Sequence, residues 1–181
     1  MSLSLRVSLR VSLRVSVALV VAILACLLVQ CRPKGGLEVG VDKVGAIAFD
    51  PSTDDPAFRP CDEERIAEYY RVFPRYGEGL KTIRDQLRPA LETLPGIPGE
   101  NGYLTVRFIV NCEGAAGRYR ILEVDPGYRP KSFPAPLRDF LLGQTRELQG
   151  WTPGRQEGEP SDSYYMLTFK IRGGRVVDLL P

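Results

Sequence analysis

Residues 102–125 read GYLTVRFIVNCEGAAGRYRILEVD, and the reading of this stretch decides the fold. Leu104, Val106, Phe108 and Val110 alternate with Thr105, Arg107, Ile109 and Asn111. A period of two in β-branched and aromatic residues marks a half-buried strand. The run stops at Asn111-Cys112-Glu113-Gly114, where Gly114 and Gly117 supply turn geometry. A second run follows over Tyr119–Val124, with Ile121 on one side and Leu122 and Val124 on the other. Two such runs joined by a short, glycine-bearing connection predict an antiparallel hairpin.

Downstream, residues 126–136 form a proline-rich connection, and a helix is expected over 135–148. Leu137, Phe140, Leu141, Thr145 and Leu148 make its buried stripe, and Gly150 is its stop. Trp151, the only tryptophan, follows at once in Trp151-Thr152-Pro153. It reads as a lid on the core, the other reading being an interface anchor. Tyr164–Arg172 is a further strand, with Tyr165, Leu167, Phe169 and Ile171 alternating with Tyr164, Met166, Thr168, Lys170 and Arg172. Gly173-Gly174 signals a tight reversal into a last short strand, Arg175–Leu180.

Upstream, two helical patterns are expected. Residues 62–73 open with Asp62, Glu63 and Glu64, acidic groups that suit the positive end of a helix dipole. Ile66, Tyr69, Tyr70 and Phe73 supply an apolar side. The acidic cluster reads as a solvated first turn rather than a metal or acid–base site, because consecutive positions do not share a helix face. Residues 77–94 repeat leucine or isoleucine at 80, 83, 87, 91 and 94, with a kink or break expected at Pro89. The resulting order is an α+β domain over residues 61–181. It comprises two layers, a largely antiparallel sheet of three to four strands with helices packed on one face.

Residues 32–60, punctuated by glycine and proline, read as a linker. Residues 1–31 read as a targeting or anchor segment. Three SLRV repeats place Arg6, Arg10 and Arg14 ahead of the apolar run VSVALVVAILACLLV at 15–29. A positive region followed by an apolar one is an export signal. Leu28-Val29-Gln30-Cys31 resembles the lipobox of bacterial lipoproteins, which makes Cys31 the expected lipidation site, with Cys26 as the alternative. An uncleaved signal anchor is the alternative to a lipoprotein. Either reading places the rest of the chain in the cell envelope, on the periplasmic face of a membrane.

Composition removes several functions. The formal net charge is +2, and without those three arginines 21 basic residues face 22 acidic ones. An exported part so balanced lacks the basic excess of a nucleic-acid binder. There is no histidine, which excludes Ser-His-Asp and Cys-His catalysis and histidine-bearing zinc sites. No cofactor, no metal and no small-molecule substrate is expected. Cys61 and Cys112 are the only cysteines outside the apolar segment. Export to an oxidising compartment predicts a disulfide between them, the alternative being two separate buried thiols.

The elements 102–110, a glycine turn, a helix, Gly150-Trp151-Thr152-Pro153, and Tyr164–Ile171 together resemble the C-terminal domain of TonB proteins over roughly residues 75–181. The ending FKIRGGRVVDLLP and Asn111-Cys112-Glu113-Gly114 resemble a Bacteroidetes-type branch of TonB-like exported proteins. The resemblance implies binding rather than catalysis. It points to capture of an extended peptide, as from an outer-membrane TonB-dependent receptor or another envelope protein, by strand addition. The implied peptide-binding edge is the last long strand, with Tyr164, Met166, Thr168 and Lys170 along it. The membrane helix of the true transducers carries a histidine, and this apolar segment has none. The expected function is therefore a membrane-tethered, non-catalytic binding domain. A short-reach energy transducer for outer-membrane transport and a small enzyme are the alternatives. Residues 175–181 are expected either to plug the binding edge or to complete the sheet.

Overall fold

The computed structural model describes residues 45–180. Its compact unit begins at Ile47. In chain order the elements are β1 (Ala67–Glu68), α1 (Tyr69–Val72), α2 (Leu80–Thr93), β2 (Gly102–Val110), β3 (Ala116–Val124), α3 (Ala135–Arg146), β4 (Gly154–Gln156), β5 (Glu159–Ser161), β6 (Ser163–Arg172) and β7 (Arg175–Leu180). This is an α+β arrangement, as expected.

β2 is the central strand. It pairs antiparallel with β3 on one side and with β6 on the other, so that Phe108 faces Tyr165 and Leu104 faces Phe169. The predicted hairpin is therefore present, and β3 starts three residues earlier than Tyr119. The extra residues include a bulge, where Arg118 and Tyr119 together oppose Phe108. Arg118 takes a φ of 54°, unusual for a residue with a side chain and a device for re-aiming one.

Beyond β6 lie two short strands. β1 runs parallel to its start, and β7 runs antiparallel to its end. With these the main sheet has five strands rather than the expected three to four, because Ala67–Glu68 adds one parallel pair. Gly173 and Gly174 make the reversal into β7 with φ of 55° and 73°, positive at both central positions as such a turn requires. β4 and β5 form a separate ribbon.

The main core lies between one sheet face and the helices α2 and α3. Leu104, Val106, Phe108, Leu167 and Phe169 pack there against Ile83, Leu87, Leu137 and Leu141, all essentially excluded from water. Burying each such side chain contributes about 1.5–3 kcal/mol. Trp151 closes this core. Its ring lies 4.7 Å from that of Tyr165 and 5.4 Å from that of Phe108, and its Nε1 donates to the Leu148 carbonyl.

Three expectations are corrected. Residues 62–73 are not one helix: turns occupy the start, Ala67–Glu68 joins the sheet, and only Tyr69–Val72 is helical. The stretch 47–60 is not a linker. Ile47 and Phe58 are buried with Ile66 on Ile109 and Tyr164, forming a second, smaller core on the opposite sheet face. Pro89 does not break its helix, since α2 runs through it. Pro89 and Asp85, whose carbonyl loses its helical donor, are both solvent-exposed, so the missing bond costs little there.

Candidate functional site at the outer edge of the last long strand

A strand edge binds an extended chain through its unpaired backbone groups. Here β6 gives its inner edge wholly to β2. Its outer edge is shared. Tyr164 pairs with Glu68 of β1, Thr168 with Leu180 and Lys170 with Asp178 of β7. Of the four residues expected along a peptide-binding edge, Met166 alone has no registered neighbour on the outer side. The window Tyr165–Leu167 is the part of that edge without a paired strand, between β1 and β7.

The side chains of the four residues do share one face, opposite the helices. Tyr164 is buried in the smaller core, with Arg107 5.9 Å from its ring centre. Thr168 shares a hydrogen bond with Thr105 at 2.9 Å. The aromatic side chains around the window come from α1. The Tyr69 ring meets that of Tyr165 edge-on at 5.9 Å, while Tyr70 and Phe73 stand exposed.

β7 is held firmly. Leu179 is 3% exposed and belongs to the main core. Arg84 of α2 donates to the Leu179 carbonyl at 2.6 Å and pairs with Asp178 at 3.3 Å. The tail thus both covers the β6 edge and completes the core.

The N-terminal strap (residues 47–66) is joined to the turn after β2 by a disulfide, and to the residue before β6 by an aspartate. Cys61 and Cys112 are bonded, with Cα atoms 6.0 Å apart. The buried carboxylate of Asp162 accepts the backbone N–H of Asp62 at 2.6 Å and that of Cys112 at 2.8 Å. Asp162, Cys61 and Cys112 are the one set of metal-type ligands drawn close together among the described residues, and the two sulfurs are spent on each other. Two further ion pairs fasten the strap to β3. Arg118, buried at the bulge, forks onto Glu63, and Arg120 forks onto Asp54 at 2.6 and 2.7 Å.

The carboxylates with displaced acidity all move downward. Arg120 holds Asp54 below the ordinary range, and Ser52 does so for Asp50. Lys81 lowers Asp85, and the Arg129 amide lowers Asp125. Burial pushes the Tyr119 hydroxyl up to about 12.

The sequence reading missed Asp162, Asp54, Arg118 and Arg120. None sits in a motif, and each takes its role from a partner at least fifty residues away. The Asn111 turn was legible. Its Oδ1 accepts the amides of Glu113 and Ala115, as an Asx turn does. Cys31 and the apolar segment lie outside the described residues, among which no helix is long and apolar enough to cross a membrane. Compared with known protein families, with curated proteins and with solved structures, the chain matches none.

Proposed function

We propose that this chain is a membrane-tethered periplasmic domain of TonB C-terminal type that binds an extended segment of an envelope protein, without catalysis. The observation that carries the reading is the sheet order β3-β2-β6. It leaves the last long strand outermost except for two short in-chain strands that stop either side of Tyr165–Leu167. Three backbone residues without an outer partner are a place to start strand addition. The exposed Tyr70, whose ring meets that of Tyr69 beside Tyr165, offers a side-chain contact suited to an interface. The Trp151-Thr152-Pro153 element ahead of that strand supports the resemblance.

Longer pairing requires β7 to leave. That exposes Leu179, at a cost of about 1.5–3 kcal/mol, so a partner must supply more than this.

Cysteine-directed cross-linking in intact envelopes tests the reading. A photoactivatable group placed at Met166 should capture an envelope protein, and one placed at Leu122 on β3 should not. Capture from Leu122 alone, or from neither, would overturn it.

A further inference from the structure

β7 is itself an edge. It pairs with β6 on one side, and among the described residues no strand lies on its other side. A cleft of about 450 Å³ lies between β7 and α2. One face of the helix lines it with Arg84, Arg88 and Leu91, each about one turn from the next, and β7 lines it from Arg175 to Leu179. Val177 and the two helix arginines stand exposed there, while Leu91 and Val176 are half-buried. A groove between a strand edge and a helix fits one extended chain, whose backbone bonds the strand and whose side chains meet the helix.

Both backbone groups of Leu179 are bonded by side chains. Its N–H donates to Asp178 Oδ1 at 2.9 Å, and its carbonyl accepts from Arg84 at 2.6 Å. That places them on the side away from β6, where an added strand would bond them. Arg84 and Asp178 are in turn paired at 3.3 Å, each about half exposed. Charged side chains across an edge guard it against pairing. This guard opens easily, since an ion pair so exposed contributes little. Cations outnumber carboxylates along the groove, with Arg84, Arg88 and Arg175 against Glu92 and Asp178. Asp85, which pairs with Arg88, is shared with Lys81. The balance suits a partner that brings negative charge.

We infer that this groove docks an extended peptide bearing a carboxylate. The peptide backbone takes over the N–H and carbonyl of Leu179, and its carboxylate replaces Asp178 on Arg84. A neighbouring apolar side chain lies against Leu91 and Val177, and Asp178 turns into water. The site keeps β7 in place, so it is distinct from the Tyr165–Leu167 window and does not depend on it.

The probes are two fluorescent peptides, valine alternating with glutamate in one and with lysine in the other. They are titrated onto the full chain in nanodiscs of zwitterionic lipid. Saturable binding of the glutamate peptide at one site per chain is expected, about tenfold tighter than the lysine peptide, the scale of one charge-assisted hydrogen bond. Binding should slow amide exchange at Leu179, read by NMR, and leave Tyr165–Leu167 unchanged. Arg84→Gln should remove the preference for glutamate. Asp178→Ala should tighten the glutamate peptide about two- to fivefold, the scale of an exposed ion pair. Both side chains are about half exposed, and thermal melts check that each variant is folded. Absence of saturable binding, equal affinity for the two peptides, or protection confined to Tyr165–Leu167 would each overturn the assignment. So would protection of Leu179 that rises with protein concentration alone, since a second copy would then be the occupant.

Discussion

Asp162 accepts the backbone N–H of Cys112 at 2.8 Å, and through its other oxygen it accepts the amide of Asp62, the residue after Cys61. One buried carboxylate therefore holds both sides of the disulfide in register independently of the sulfur bond. Replacing Asp162 with Asn should keep one acceptor and set an NH2 group against a backbone N–H. The expected loss is about 1–3 kcal/mol, read from urea unfolding of the oxidised protein. The variant should also re-form its disulfide more slowly after reduction, measured by thiol trapping. An oxidation rate equal to wild type would show that Asp162 does not position the cysteines.

Reducing the disulfide, or replacing both cysteines with serine, removes a loop of sequence separation 51. Chain-entropy arithmetic gives roughly 4 kcal/mol for a closure of that length, and typical measured losses are about 2–4 kcal/mol. Chemical denaturation with and without reductant measures it. A shift under about 0.5 kcal/mol would mean that the turns at 61–65 hold without the bond.

The Arg120–Asp54 pair gives a pH signature. Asp54 is depressed in the fold, chiefly by hydrogen bonding to Arg120. Its contribution is fully present above the ordinary carboxylate range and is lost as pH falls through the lowered value. Asp54→Asn should cost about 3 kcal/mol near neutrality, the low end for breaking a buried pair, because Arg120 keeps some solvent contact. The gap between the two proteins should close as the pH drops below about 4. A gap unchanged down to pH 2 would rule out the ion pair as its source.

Leu179→Ala separates the two roles of the C-terminal strand. Removing a buried leucine costs about 2–5 kcal/mol and loosens β7 from the core without deleting its backbone pairing. If β7 guards the β6 edge, the folded variant should bind an extended partner peptide more tightly, or dimerise. Sedimentation and peptide titration read this. A destabilised monomer with unchanged affinity would leave β7 as a purely structural strand.

Gly114→Ala tests the approach of the Asn111 turn to the tryptophan. Gly114 has φ of 82°, and a Cβ there would stand 2.1 Å from the Trp151 carbonyl oxygen. Both faults argue for a loss of more than about 1 kcal/mol. A melt within a degree of wild type would contradict that packing.

β2, β6 and α3 were legible because their burial alternates or recurs at a single period over nine residues or more, whereas β1, β4 and β5, of two or three residues each, are too short to show one. Leu104 to Val110 and Tyr165 to Ile171 say on their own which side faces the core. Residues 62–73 misled for the opposite reason. Their acidic opening and spaced aromatics satisfy a helix pattern, but Cys61 is bonded to Cys112 and Ala67 donates to the Asp162 carbonyl. Long-range ties override local preference there. The strap was hidden by its composition, since glycine and proline around Ile47 and Phe58 suggest a spacer, and only the sheet face shows what those two side chains cover.

The Cys61–Cys112 bond also sets how the domain answers to force. Tension applied between its two ends passes through the sulfur bridge and skips the chain between the cysteines, which includes β1, both N-terminal helices and the central strand β2. About 170 Å of contour is thereby withheld from stretching. Pulled at its two ends, the domain can extend only through residues before Cys61 and beyond Cys112, with β2 remaining slack. Single-molecule extension should lengthen by that amount once the bridge is reduced.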